Sequence, residues 1–131
     1  GDAVIAFFNA PLSQEDYALR AVRAALKIQK GVKYLHQRLP EAYQLGYGVG
    51  ITIGDAVVGN IGTTQQMNYT AIGPSVNLAR RLQEMAAPGQ ILLTRLAYKR
   101  IQEYVEVRQL PPMNVEGISD VIEIYELVRL K

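Results

Sequence analysis

The chain has 131 residues, of which 49% are hydrophobic and 20% are charged, and its formal net charge is +2. This composition fits one folded domain with a real core and excludes a disordered chain. The 14 basic residues form no Lys/Arg block, so we expect no nucleic-acid partner. The absence of cysteine excludes a disulfide framework and a thiolate metal site, and no apolar run approaches the roughly 20 residues that span a bilayer.

The first third of the chain predicts one strand and one long helix. Residues 3–8 (AVIAFF) form an apolar run that is typical of a buried strand. A helix is predicted over residues 14–39, with Ser13 placed to cap its first turn. Apolar residues at three- and four-residue steps give this helix one buried face; they are Ala18, Val22, Ala25, Ile28, Val32, Leu35 and Leu39.

The next segment predicts a β-hairpin. Residues 47–54 and 56–61 are predicted strands, and Gly54-Asp55 is predicted to be the tight turn between them. Glycines weaken an isolated strand, so a group of them indicates that another backbone approaches closely. The glycines of this kind are Gly46, Gly48 and Gly50.

Residues 68–72 (NYTAI) predict a third strand, which ends at Gly73-Pro74. A second helix is predicted over 75–86, since proline is tolerated at the first helical position. The remaining predicted elements are a strand, a short helix and two strands that alternate apolar and polar residues; they cover 90–94, 95–101, 104–110 and 120–128. Intermixed helices and antiparallel final strands predict an α+β fold with the helices on one face of the sheet.

Residues 1–131 are interpreted as a single domain, because no repeat, low-complexity tract or linker divides them. The chain opens on Gly1-Asp2, a dipeptide typical of turns, directly before a predicted strand. A turn of this kind joins two strands. We therefore expect the sequence to begin in the middle of its domain.

Two polar side chains on the second predicted helix suit a nucleotide. Asn77 and Arg81 are four residues apart, so they share a helix face. A guanidinium fork suits phosphate oxygens, and an amide suits sugar hydroxyls. Spacing alone, however, favours an ordinary solvated face on which Arg80 and Arg81 are directed to water.

Three other residues are candidates on slighter grounds. The carboxylate of Asp2 could hold a magnesium ion, which usually takes one or two carboxylates plus substrate phosphates, but an isolated aspartate more often belongs to the turn alone. The hydroxyl of Thr70 could contact a base edge, or Thr70 could be an ordinary β-branched strand residue. His36 is the single histidine and the chain has no cysteine, so a metal role for it is not expected.

Several longer segments occur along the chain in a specific order: GDAVIAFFNAP, GVGITIGDAVVGNIG, YTAIGPSVNLARRL, PGQILL and VEGISDVIEIYEL. Together they resemble the catalytic domain of class III adenylate and guanylate cyclases over essentially the whole chain. The order and spacing make this resemblance specific, whereas no single segment would. The threonine of the YT pair resembles the subclass common in bacterial multidomain sensors.

The resemblance implies a ferredoxin-like α+β fold and a head-to-tail homodimer with two active sites at its interface. ATP would be cyclised to 3′,5′-cyclic AMP as its 3′ hydroxyl attacks the α-phosphate and pyrophosphate leaves. Two Mg²⁺ or Mn²⁺ ions per site would be held by two aspartates of one protomer, while the partner supplies the strand and helix groups. Upstream sensor or regulatory domains and a cytoplasmic location are also implied, in a parent protein that is either soluble or membrane-anchored.

The resemblance also implies a role for each matching residue. Asp2 matches the second metal-binding aspartate, and Thr70 matches the position that reads the purine base. Asn77 matches the residue that orients the ribose. Arg81 matches the residue that stabilises charge on the transferring phosphoryl group.

Some positions depart from the family pattern. The motif FxDIxxFT with the first metal-binding aspartate is absent, as is the purine-reading lysine, so we expect this chain alone to be inactive or very weak. Gly48 stands where some members carry a pyrophosphate-binding arginine, and Pro74 replaces a common Asp or Asn. Guanylate cyclase activity, and a degenerate nucleotide-binding or dimerisation module with a regulatory role, are the alternative hypotheses.

Overall fold

The computed structural model of the protein describes residues 3–115 and 117–131. In this part of the chain the helices are α1 (Tyr17–His36), α2 (Pro74–Met85) and α3 (Arg95–Ile101), and a short 3₁₀ helix covers Glu41–Tyr43. The strands are β1 (Val49–Ile51), β2 (Val57–Thr63), β3 (Gln66–Ile72), β4 (Ile91–Thr94), β5 (Val105–Gln109), β6 (Met113–Asn114), β7 (Val121–Ile122) and β8 (Ile124–Leu130).

A mixed four-stranded sheet with the order β1-β4-β8-β5 forms the centre of the fold. β1 runs parallel to β4, while β8 is antiparallel to both β4 and β5. The α+β class and the antiparallel final strands are therefore confirmed. The strands β2 and β3 form a separate antiparallel hairpin, in which Val57 pairs with Ile72 and Thr63 with Gln66.

The predicted hairpin of residues 47–54 and 56–61 is wrong. β1 pairs with β4, and the partner of β2 is β3, which follows a turn at residues 64 and 65. The chain leaves the central sheet after Ile51 and lies against the start of α2. A Cβ on Gly54 would stand 2.6 Å from the Cβ of Ser75, so Gly54 permits close packing rather than a two-residue hairpin turn.

The beginning of the chain also differs from the prediction. Residues 3–8 are not a strand, because no described strand pairs with them, and Val4 and Ile5 remain 94% and 57% exposed. The long helix begins at Tyr17 instead of residue 14. Before the helix, Asn9 and Gln14 form two reciprocal hydrogen bonds. Each backbone N–H donates to the other residue's side-chain oxygen, at 3.3 Å from Asn9 and 2.6 Å from Gln14.

The helices lie on both faces of the sheet, which corrects the prediction that they share one face. Alternate residues of a strand point to opposite faces: Ile91 and Leu93 of β4 pack in the cluster with α1 and α3, whereas Leu92 packs with Leu82 of α2. The first cluster is the larger. Its buried residues are Val22, Ala25, Ile91, Leu93, Ala97, Ile101, Val105 and Leu127.

The glycines of the 46–50 segment explain how α2 reaches the sheet. A Cβ on Gly50 would lie 2.6 Å from the Ala79 carbonyl oxygen and 2.7 Å from the Gln83 nitrogen. A Cβ on Gly48 would lie 2.7 Å from the Ala86 Cβ, and one on Gly46 would overlap the ring of Pro88. The predicted close backbone approach is confirmed, and the approaching backbone at Gly50 is α2.

Candidate functional site

Three of the residues singled out from the sequence, Thr70, Asn77 and Arg81, lie around the junction where β3 passes into α2. Thr70 is half-buried and lies two positions before β3 ends at Ile72. Gly73 then turns the chain with φ 154°, which favours glycine. Pro74 occupies the first turn of α2, as predicted. One continuous strand–turn–helix unit therefore carries Thr70, Asn77 and Arg81.

Asn77 and Arg81 occupy successive turns of α2, as their spacing requires. Asn77 is exposed and Arg81 is half-buried. The adjacent apolar face of the helix carries Leu78 and Leu82, which pack in the cluster around Leu92 and Ile124. The polar face is thus fixed by burial of the apolar one.

Arg81 forms an ion pair within its own helix. Its Nη1 atom lies 3.3 Å from Oε2 of Glu84, and the two side chains are 41% and 50% exposed. An ion pair between groups this exposed contributes only about 0–1 kcal/mol. The contact with Glu84 therefore orients the Arg81 guanidinium, and it is weak enough for the guanidinium to bind a more highly charged anion.

Thr70 borders an open space on the hairpin. Its cross-strand partner in β2 is Gly59, and residues paired across two strands share a face of the hairpin. A Cβ built on Gly59 would have nothing within 4 Å. Among the described residues, nothing therefore fills the position beside Thr70 on the neighbouring strand.

The start of α2 is tied to the end of β1 through side chains that the sequence analysis did not select. The hydroxyl of Thr52 donates to the Ser75 carbonyl at 2.7 Å, and the hydroxyl of Ser75 donates to the Asp55 carbonyl at 3.2 Å. No spacing rule pairs residue 52 with residue 75, because the contact depends on how β1 and α2 pack. The pair of Arg81 with Glu84, by contrast, could have been found from its i, i+3 spacing.

The hairpin formed by β2 and β3 exposes apolar side chains at its base. Val57 and Ile72, the pair at the end of the hairpin opposite its turn, are 72% and 54% exposed. Tyr69 is also exposed on one side and contacts Phe7, with ring centroids 5.5 Å apart. This surface is apolar enough to suit burial against another protein surface.

Metal-binding potential is limited in the described part of the chain. Asp2, the predicted metal ligand, lies outside the described residues. Among residues 3–115 and 117–131, no group of three or more His, Cys, Asp or Glu side chains could hold a metal ion. The described residues alone therefore do not supply the donor set of a two-metal site.

Two grooves of the described structure lie away from the junction. One, of about 270 Å³, runs between the start of α1 and the end of α3 and includes Tyr17, Arg100 and Tyr104. The other lies between α1 and Leu130. Neither is lined by Thr70, Asn77 or Arg81, and at the junction itself the Asn77 side chain is exposed.

Clear pKa shifts in the described residues also fall outside the junction. A hydrogen bond from Arg20 holds the pKa of Asp16 below its usual value of 3.8. Burial raises the pKa of Tyr125, and the neighbouring Glu123 carboxylate adds to this increase. Both residues belong to the α1 and α3 side of the sheet, so neither titration reports on the junction.

No helix among the described residues is long and apolar enough to cross a bilayer.

Comparison with known proteins identifies relatives along nearly the whole chain. The family described as the adenylate and guanylate cyclase catalytic domain matches residues 1–129. "Adenylate cyclase 1" of Rhizobium meliloti (strain 1021) is 32% identical over 132 residues, which cover 98% of this chain and 20% of that protein.

Solved structures show the same fold. The adenylyl cyclase CyaB from P. aeruginosa has a TM-score of 0.84 and 32% identity, covering 92% of this chain and 64% of that one. The guanylyl cyclase Cya2 has a TM-score of 0.83 and 31% identity, covering 95% and 64%. The chain thus spans less than two thirds of each of these relatives.

Proposed function

The chain belongs to the adenylate and guanylate cyclase catalytic-domain family, and we propose that it forms part of an adenylate cyclase, a phosphorus–oxygen lyase that converts ATP to 3′,5′-cyclic AMP and pyrophosphate for signal transduction. The observation that carries this proposal is the strand–turn–helix unit with Thr70, Asn77 and Arg81 on one continuous segment. Similarity to Adenylate cyclase 1 of Rhizobium meliloti supports ATP as the substrate.

In this proposal, each of the three residues contacts a different part of the nucleotide. Thr70 contacts the purine edge, for which the space beside Gly59 leaves room. Asn77 hydrogen-bonds the ribose and directs its 3′ hydroxyl towards the α-phosphate. Arg81, one helical turn further, meets the phosphoryl oxygens. The order base, sugar, phosphate follows the order of the residues along the chain.

In the proposed reaction, the 3′ oxygen forms a bond to the α-phosphorus while the bond to the bridging oxygen of pyrophosphate breaks. Pyrophosphate leaves with the electron pair, and the proton of the 3′ hydroxyl passes to solvent. Negative charge grows on the phosphoryl oxygens in the transition state. A guanidinium already fixed at that position lowers the barrier by about 3–4 kcal/mol, because it needs no reorganisation.

The ion pair with Glu84 is compatible with this role. A polyphosphate carries more negative charge than one carboxylate, and the pair is exposed, so losing the single contact with Glu84 costs about 1 kcal/mol or less. When no nucleotide is bound, Glu84 orients the Arg81 guanidinium. We expect Glu84→Gln to retain most of the turnover.

The metal chemistry of the proposal rests on Asp2, which the structure does not describe. The family resemblance assigns two Mg²⁺ or Mn²⁺ ions to each site, and such a pair would stabilise the attacking and leaving oxygens. The described residues offer no cluster for these ions. The steps assigned to Thr70, Asn77 and Arg81 are therefore derived without them.

A homodimer is part of the proposal, because the open junction needs a second surface to enclose the nucleotide. The apolar base of the hairpin at Val57 and Ile72 supports such a contact. A head-to-tail arrangement would place Asp2 of one protomer opposite Asn77 and Arg81 of the other. The remaining parts of the proposal are a single catalytic domain over residues 1–131, a cytoplasmic location and control by sensor domains of the parent protein.

Guanylate cyclase activity is the second candidate, and the similarity to the guanylyl cyclase Cya2 favours it. The test is product formation by the full-length protein from ATP and from GTP with Mn²⁺, each quantified by chromatography. We expect cyclic AMP to be the main product. Mainly cyclic GMP would replace the proposal by the guanylate candidate, and no cyclic product from a folded dimer would favour a degenerate regulatory module.

A further inference from the structure

The first turn of α2 has no side-chain cap of its own. Its N-cap position is Gly73, which has no side chain to cap the helix. The backbone nitrogens of Val76 and Asn77 both donate to the Gly73 carbonyl at 3.1 Å. These bonds close the turn but do not anchor it to the rest of the domain.

The anchor comes from the segment that follows β1. Thr52, the residue after the last residue of β1, donates its hydroxyl to the Ser75 carbonyl at 2.7 Å in a partly buried position. The hydroxyl of Ser75 donates to the carbonyl of Asp55, in the same segment as Thr52. A Cβ on Gly73 would stand 3.2 Å from the same Asp55 oxygen, so the two segments are in close contact.

The bond from Thr52 connects α2 to a rigid element. β1 is paired in parallel with β4, whose four residues are all buried. Gly50 already sets the distance between β1 and the middle of α2, because no side chain separates them. Packing on a glycine still allows a helix to slide or rotate, whereas a directed hydrogen bond to one carbonyl opposes both movements.

We propose that Thr52 is a positioning residue for the cyclase reaction, which sets the register of α2 so that Asn77 and Arg81 meet the reacting nucleotide. This inference rests on the proposed function. Asn77 is two residues beyond Ser75, and Arg81 is six residues beyond it, so a shift of the first turn displaces both. A misplacement of about 1 Å is enough to reduce catalysis by up to about 100-fold.

The test uses the full-length protein with Thr52→Val, which keeps the shape of the side chain and removes the hydroxyl. Thr52→Ser restores the hydroxyl, and Thr64→Val makes the same chemical change at an exposed position in the hairpin turn. We expect Thr52→Val to lower kcat roughly tenfold while KM changes less than about twofold. Thr52→Ser and Thr64→Val should stay within about twofold of wild type.

A purely structural role predicts a different pattern. Thermal unfolding would then detect a less stable Thr52→Val protein, but kcat per folded molecule would equal the wild-type value, and the positioning role would be overturned. Hydrogen exchange at the amides of Val76 and Asn77 supplies a readout independent of activity, and we expect faster exchange in Thr52→Val. Unchanged exchange would also overturn the inference.

Failure of the proposed function gives a separate result. If wild-type protein forms no cyclic nucleotide, the cyclase assignment fails and the catalytic significance of Thr52 fails with it, whatever the exchange rates are. If wild type is active and Thr52→Val is equally active, only the inference about Thr52 fails.

Discussion

The two faces of the central sheet are built in different ways. On one face, α1 and α3 bury large aliphatic side chains against alternate residues of β4 and β8. On the other, α2 lies so close to β1 that its backbone meets Gly50 directly, and its buried cluster is small. The first arrangement supplies apolar burial, which stabilises the fold. The second places a helix backbone with little freedom, and that helix carries the proposed catalytic residues.

We therefore expect mutations on the two faces to differ in whether they reduce activity or stability. Substitutions of Asn77 and Arg81 on the polar face of α2 should change activity and leave stability nearly unchanged. Substitutions in the α1 and α3 cluster should do the reverse, and those at the contact between α2 and β1 should change both.

Arg81→Ala in the full-length protein should give the largest effect. We expect kcat to fall by about 100- to 1,000-fold with a much smaller change in KM, because the charge it stabilises grows mainly in the transition state. Arg80→Ala is the matched control on the neighbouring, exposed position and should keep near-normal turnover. Steady-state kinetics decide the question, and equal losses in kcat and in nucleotide affinity would contradict the transition-state role.

Leu93→Ala should have the opposite signature. Leu93 is fully buried between the sheet and the helices α1 and α3. Removing its side chain leaves a cavity and should destabilise the protein by about 2–5 kcal/mol. Denaturant unfolding measures this loss, while kcat per folded molecule should stay near the wild-type value. A selective loss of kcat without a loss of stability would reverse the assignment of the two faces.

Gly50→Ala should affect both properties. The added Cβ meets the Ala79 oxygen and the Gln83 nitrogen, which are backbone atoms and can yield only if α2 moves. Overpacking of this kind costs about 1–3 kcal/mol, and the displaced helix should lower kcat as well. Gly31→Ala is the control, because a Cβ there has nothing within 4 Å in the middle of α1. It should stabilise the helix by about 0.5–1 kcal/mol.

Asp16→Asn should have the smallest effect, and the effect should depend on pH. Because Arg20 lowers the pKa of Asp16 in the folded state, this carboxylate contributes stability above its unfolded pKa of about 3.8. That contribution is lost as the pH falls through the lower, folded pKa. The melting temperature of Asp16→Asn should therefore lie slightly below wild type near neutral pH. In strong acid the two should converge, and an unchanged difference there would exclude the ion pair as its cause.

The sequence was sufficient for those features that depend on neighbours along the chain. The spacing of Asn77 and Arg81, the proline start of α2 and the alternation in the last strands are local, and each is present in the structure. The glycines before and within β1 correctly indicated a close backbone approach. The family resemblance, which assembles many local motifs, correctly gave the fold class.

Features that depend on distant packing could not be predicted. Residues 3–8 have the composition of a strand, but a strand needs a hydrogen-bonded neighbour, which composition does not provide. Gly54-Asp55 has the composition of a hairpin turn, yet Gly54 packs on Ser75 and the strands find other partners. The bond from Thr52 to Ser75 joins residues 23 positions apart. Their contact follows only from α2 packing against the face of the sheet opposite α1.

The most direct test of the account is complementation between two inactive variants of the full-length protein. In the proposed dimer, each site combines Asp2 of one protomer with Asn77 and Arg81 of the other. Asp2→Ala and Arg81→Ala proteins should each form almost no cyclic nucleotide, while an equal mixture should recover about a quarter of wild-type activity, since half of the random dimers contain one intact site. A mixture as inactive as its two components, with heterodimers demonstrated, would contradict the shared site.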